Sequence, residues 1–151
     1  LRPELIPPEE IRAICEPVVR VCSVVSPSGD EATTLTGAPT PSAAAAALLA
    51  RGVRLVALKR GAQGSTLYTP EGALDVPPFH VEEVDPTGAG DCFAAALLVA
   101  LDEGQPLARA GAFANAAGAL ATTRLGPMEG TFSRGEVLAF MAAQGRPAYW
   151  V

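Results

Sequence analysis

Glu83-Val84-Asp85-Pro86-Thr87-Gly88-Ala89-Gly90-Asp91-Cys92-Phe93 passes from a polar, glycine-bearing turn straight into an apolar run, so a loop and a helix N-terminus meet with nothing between them. The backbone N–H groups of Gly88, Ala89 and Gly90 fall in the first turn, where a helix has no internal partner for them. The macrodipole adds positive potential at the same end. Such a terminus suits a phosphoryl group. Asp91 is the odd member, because a carboxylate on the rim of an anion site repels the anion unless it acts on a neighbouring group. Accepting a hydroxyl proton during phosphoryl transfer is such an action. Read alone, the commoner use of an Asp in a first turn is to complement the helix dipole.

On the amino-terminal side, Pro7-Pro8-Glu9-Glu10 opens a helix predicted over residues 6–19, with Ile11, Ile14 and Val18 at helical spacing. Residues 21–25 read as a short buried strand stopped by Ser26-Pro27-Ser28-Gly29, and residues 30–35 as a brief helix. Thr40-Pro41-Ser42 starts an Ala-rich helix through Arg51 that Gly52 ends, ahead of a strand at 54–58. Strands at 65–68 and 73–76 flank the turn Thr69-Pro70-Glu71-Gly72, which predicts a hairpin at a sheet edge that Pro77-Pro78 stops. Beyond the central stretch, helices are predicted over 92–101, 107–122 and 133–143, the last with Ser133 as its cap. Strands alternating with helices predict a three-layer α/β/α fold with a mainly parallel sheet. Ligands then gather at the carboxyl ends of strands, where Asp91 follows the extended residues 79–84.

The 151 residues, 49% of them hydrophobic, suffice for the core of a single domain, and the net charge of −5 with no basic stripe argues against nucleic-acid binding. Arg51, Arg54, Lys59, Asp91, Asp102 and Arg109 interrupt the hydrophobic stretches, so no membrane span is expected and a cytoplasmic location is the default. Cys15, Cys22 and Cys92 show no metal-ligand spacing, and His80 is the single histidine. The cysteines read as reduced, mostly buried small hydrophobes. Cys92, at a helix N-terminus, is the one whose thiol pKa has a reason to fall.

The central run resembles the signature of the PfkB, or ribokinase-like, carbohydrate kinase family, Asp-Thr/Pro-x-Gly-Ala-Gly-Asp followed by an aromatic residue. The resemblance implies that Asp91 is the catalytic base, that the Gly88, Ala89 and Gly90 amides form the anion hole with Thr87 beside it, and that ATP with Mg2+ is the phosphoryl donor to a sugar hydroxyl. Pro27-Ser28-Gly29-Asp30-Glu31-Ala32 stands where relatives carry Asn-x-x-Glu before a Leu-x-Gly like Leu35-Thr36-Gly37. Glu31 thereby inherits a water-mediated role toward magnesium-bound phosphates, with Ser28 in place of the usual Asn; by itself it reads as a solvated first-turn acid. Leu58-Lys59-Arg60-Gly61-Ala62-Gln63-Gly64 matches the family's turn near the nucleotide phosphates and ribose. That implies close backbone approach at Gly61 and Gly64 and a point charge at Lys59, while Arg60 reads either as a phosphate contact or as a solvated cation.

Further along, Ala112-Phe113-Ala114-Asn115-Ala116-Ala117-Gly118-Ala119 corresponds to the helix bordering the adenine pocket, which brings in Asn115 and Gly118. The Asn115 amide needs a partner, either the nucleotide or an internal hydrogen bond. Thr123-Arg124-Leu125-Gly126-Pro127 resembles the segment that, with the motif's first Asp, surrounds a monovalent cation. Asp85 would then face K+, or else it is a turn residue before Pro86. The resemblance makes residues 1–151 the carboxyl-terminal, nucleotide-binding half of a family member, with Leu1-Arg2 as the end of an Asp-x-Asn-x-Arg segment. The sugar-binding and lid portion would precede it, and a homodimer is an expectation for the full-length protein. The motif variant and the tail Gly126-Pro127-Met128-Glu129-Gly130-Thr131 look most like kinases of ketohexoses or ketogluconates, with tagatose, fructose and 2-keto-3-deoxygluconate as candidates. The alternatives are a nucleoside kinase of the same superfamily and a nucleotide-binding fragment without turnover.

Overall fold

The computed structural model describes residues 5–147, so Leu1 and Arg2 lie outside the described residues. The chain divides into two compact units, one running up to Gly61 and taking in Ser65–Asp75, the other formed by Ala62–Gly64 and the chain from Val76 onward.

The first unit carries helices α1 (Pro8–Val19), α2 (Gly29–Thr36) and α3 (Pro41–Ala50) and strands β1 (Val24–Val25), β2 (Leu55–Lys59), β3 (Ser65–Thr69) and β4, whose residues Gly72–Val76 end at the border with the second unit. The sheet order is β1-β2-β3-β4. β1 and β2 run parallel, Val24 opposite Leu55, whereas β2 and β3 run antiparallel, Val56 opposite Tyr68 and Lys59 opposite Ser65. The expectation of a mainly parallel sheet therefore holds for the β1–β2 pair alone, and the sheet is mixed. A parallel pair needs a long crossover, supplied here by α2 and α3, while the short links after β2 and after β3 permit only reversal. The hairpin strand β4 stands at the sheet edge, as expected.

Leu55, Val56, Ala57 and Leu58 are all buried, the continuous apolar run of a strand covered on both faces. Val56 packs with Val19, Ala45, Leu48 and Val53, and Leu58 with Ala32 and Ala44; Tyr68 touches both groups. Fully buried Ala44 and Ala45 leave no bulk between α3 and the strands. β1 is shorter than predicted because the Val21 and Cys22 amides turn back to the Val18 and Val19 carbonyls and extend the end of α1. Of the predicted α1 stripe only Ile11 is buried, with Ile14 and Val18 about 60% exposed.

The second unit is built from α4 (Ala89–Asp102), α5 (Leu107–Ala121) and α6 (Arg134–Ala143). α4 buries Phe93, Ala96, Leu97 and Ala100, and α5 buries Ala110, Phe113, Ala114 and Ala116. The two helices pack along their lengths, joined by a four-residue turn. α6 starts on a capping box, Ser133 with Glu136, and buries Val137 and Met141. Residues 79–84 form no strand: Pro77 and Pro78 bring no N–H to a ladder, and β4 stops at Val76.

Candidate active site

At the start of α4, Gly88 is the N-cap with φ +83°. A Cβ there would run into the Pro127 carbonyl oxygen, with the Pro127 carbonyl carbon and Cα at 3.2 Å. Only glycine meets both demands. The Asp91 and Cys92 amides return to the Gly88 carbonyl at 3.1 and 2.9 Å, and the Ala89 amide reaches the Pro86 carbonyl at 3.2 Å. The Gly88 and Gly90 amides donate to no described residue. Of the three expected anion-hole amides, two are thus unpartnered and the third bends back into its own turn. Asp91 occupies the first turn, exposed, its carboxylate without a hydrogen bond or ion pair among the described residues. Burial, and then the neighbouring Asp91 charge, push the Cys92 thiol up from its ordinary value, which overturns the idea of a thiolate favoured by the helix terminus.

The turn before α4 is held by residues about forty positions away. Val84 and Asp85 both donate their amides to the Thr122 carbonyl, at 2.7 and 3.0 Å. In return the Asp85 Oδ1 accepts the Thr87 amide at 2.9 Å and Oδ2 accepts the Gly126 amide at 2.8 Å. The Thr87 hydroxyl and amide, joined by the Gly126 amide, hold the Asp85 carboxyl below its ordinary value. Three donors on a carboxylate with about four lone-pair sites leave one site for a cation.

In the same unit, Gly64 (φ +82°) leans on the backbone of residues 76–78: a Cβ would lie 2.9 Å from the Pro78 nitrogen and against the Val76 carbonyl. Asn115, buried on α5, donates from Nδ2 to the Val76 and Pro77 carbonyls, both at 3.1 Å. Its amide therefore finds internal partners, while Oδ1 accepts from no described residue. Asn115→Ala leaves two carbonyls short of a donor and costs about 1–3 kcal/mol, read as a lowered urea midpoint at unchanged slope. What the structure shows for Gly118 is helix packing, a Cβ there lying 3.2 Å from the Ala89 carbonyl and 3.4 Å from Phe93.

The first unit brings Glu31 and Lys59 together. Ser28 is in parallel bridge with Lys59, whose amide donates to the Pro27 carbonyl at 2.9 Å, so α2 begins beside the carboxyl end of β2. The Ser28 amide donates to Glu31 Oε2 at 2.7 Å and the Glu31 amide to Ser28 Oγ at 3.3 Å, a complete capping box. Ser28 thus does for the helix what an Asn would. Burial pushes the Glu31 carboxyl up; the Ser28 amide, the Lys59 charge and the Ser28 hydroxyl pull against it, and the net is downward. Arg60 pairs with Asp75 Oδ1 at 3.2 Å and donates to the Ser65 carbonyl at 3.3 Å, while the Thr66 hydroxyl donates to the same carboxylate oxygen at 2.7 Å. This cation is tied to the hairpin rather than solvated. Gly61, φ +56°, starts a 3-10 turn, Gly61–Gln63.

Glu31, Asp85 and Glu136 all lie below their ordinary values in the folded chain. A carboxyl with a depressed folded pKa contributes stability that is present above its unfolded pKa and lost as pH falls through the folded one. Urea midpoints should therefore be level above about pH 5 and drop steadily below about pH 4. Replacing Asp85 by Asn should flatten part of that drop.

Sequence reading alone had no access to Gln144 or Arg146, and it reached the segment ending at Pro127 only through the resemblance to a cation-binding segment, without the Thr122 and Pro127 contacts that hold the turn. Their contributions are backbone carbonyls or bonds spanning dozens of residues, and no local pattern marks them. Among the described residues there is no group of three or more His, Cys, Asp or Glu that could hold a metal, and no helix is long and apolar enough to cross a membrane.

Residues 2–133 match the pfkB family carbohydrate kinase pattern. The ribokinase of Bacillus subtilis (strain 168) is 33% identical over 89% of this chain and 45% of its own length. A candidate ribokinase II from E. coli, solved with ATP and Mg2+, is 40% identical with a TM-score of 0.89, over 95% of this chain and 46% of that one. A double variant of the fructokinase of Vibrio cholerae O395, solved with fructose, ADP and potassium ion, is 33% identical with a TM-score of 0.84, over 93% and 47%. The chain spans about half the length of the relatives it matches. With its α/β ribokinase-like fold and the Gly88 to Asp91 terminus in place, the chain belongs to the pfkB family of carbohydrate kinases.

Proposed function

We propose that the complete protein containing this chain transfers the γ-phosphoryl group of ATP to a hydroxyl of a sugar. The observation that carries this reading is the start of α4, where two unpartnered amides and a carboxylate free of partners share one helical turn. Asp91 takes the proton of the attacking hydroxyl, the new P–O bond forms as the bond to ADP breaks, and the Gly88 and Gly90 amides, joined by Ala89, hold the developing charge. Lys59, Gly61, Gly64, Thr87 and Asn115 serve the nucleotide, Asn115 through its remaining acceptor. Magnesium, when bound, neutralises phosphate charge. Glu31, kept ionised beside Lys59, fits an outer-shell, water-mediated contact with such a hydrated ion. Asp85 and carbonyls of the turn after Thr122 fit a potassium ion, a hard cation with oxygen ligands.

The acceptor is a ketose or ketogluconate, fructose being the sugar bound in one structural relative. The test is ATP consumption by the full-length protein over a panel of ketoses, 2-keto-3-deoxygluconate and nucleosides. Sugar-dependent ADP release supports the reading. Release with nucleosides only, or none with any acceptor, overturns it.

A further inference from the structure

Residues 76–80 carry no sheet ladder beyond Val76, yet four of their five carbonyls accept a side-chain hydrogen bond. Asn115 serves Val76 and Pro77. Arg146 donates to the Pro78 carbonyl at 3.3 Å, its guanidinium 5.4 Å from the centre of the buried Phe79 ring. Phe79 in turn lies 5.4 Å from the Phe140 ring of α6. Gln144 donates from Nε2 to the His80 carbonyl at 2.9 Å and accepts the His80 amide on Oε1 at 3.3 Å, a reciprocal pair. A proline-interrupted run has lost the donors that would fix it in a sheet, and side chains supply the partners its carbonyls require.

The same run is the surface on which Gly64 rests, closely enough that no Cβ fits between them. We infer that Gln144 and Arg146, both beyond the residues 2–133 that match the family, are positioning residues for the nucleotide. They fix residues 76–80, and that backbone sets where Gly64 and Asn115 stand. Neither side chain need touch ATP. The inference rests on the nucleotide role given to Gly64 and Asn115 above.

The test uses the full-length kinase. Gln144→Ala and Arg146→Ala should each raise KM for ATP, and the Kd for ADP by calorimetry, about 3- to 10-fold, the effect of one to two lost hydrogen bonds, with kcat and the sugar KM unchanged. Arg146→Lys keeps a donor and a cation over the ring and should stay close to wild type. Ser133→Ala breaks the cap of α6 without touching the clamp; it should lower Tm and leave KM for ATP alone. Equal shifts in Ser133→Ala and Gln144→Ala, or wild-type ADP affinity in both clamp variants, would overturn the inference. A wild-type enzyme that binds no ADP would overturn the nucleotide reading and this inference with it.

Discussion

Asp91→Asn in the full-length kinase lowers kcat about 10²- to 10⁴-fold, the usual contribution of a positioned general base, while KM for ATP changes little. The structure makes this a clean experiment. Asp91 is exposed and makes no bond among the described residues, so exchanging one carboxylate oxygen for an amide nitrogen disturbs no packing and breaks no internal contact. Its other ordinary use, complementing the helix dipole, is worth about 0.3–1 kcal/mol, so Tm should move by only a few degrees. A large loss of turnover with a nearly unchanged melting curve therefore separates base from dipole partner. Turnover within a few-fold of wild type would remove Asp91 from the chemistry.

Gly88→Ala should damage both stability and catalysis. A side chain at φ +83° is strained by about 1–2 kcal/mol wherever it occurs. Here its Cβ also meets the Pro127 carbonyl, and backbone cannot step aside as a flexible side chain would. Relieving the clash shifts either the Pro127 turn or the start of α4, for a total of about 2–4 kcal/mol. Because the unpartnered amides sit in that turn, kcat/KM for ATP should fall at least about 100-fold. Gly104→Ala supplies the comparison. Its φ is +74° but nothing lies within 4 Å, so only the conformational cost of about 1–2 kcal/mol applies and kinetics stay near wild type. Similar melting curves for the two variants would show that the Pro127 contact does not matter.

How far the sequence could be read follows from where each interaction closes. Ser133 ahead of a helical run announces the cap of α6, and Gly52 after an Ala-rich run announces the end of α3; both close within a few residues and both were legible. The motif at the head of α4 was legible for the same reason, since loop, glycines and carboxylate are contiguous. The mixed sheet was not, because alternation of elements carries no strand direction. The extended segment at 79–84 misled, since β-like residues there have prolines ahead of them and no ladder to join. Of the α1 stripe, periodicity found the face but not the neighbour, and only Ile11 is covered. Nor could local pattern show that Asn115 would spend Nδ2 on carbonyls 38 and 39 residues away, or that Thr122 would hold the turn at Asp85.

The clamp on residues 76–80 also orders events in time during synthesis. Pro78 and its donor Arg146 are 68 residues apart, and His80 and Gln144 are 64 apart. At roughly 5–20 residues per second, a ribosome needs about 3 to 14 s to make the chain between Pro78 and Arg146. Asn115 reaches Val76 and Pro77 partway through that interval, but Pro78 and His80 wait for Arg146 and Gln144 until its end. On the nucleotide reading proposed above, the backbone beside Gly64 and Asn115 is finished only once α6 and Arg146 have been made.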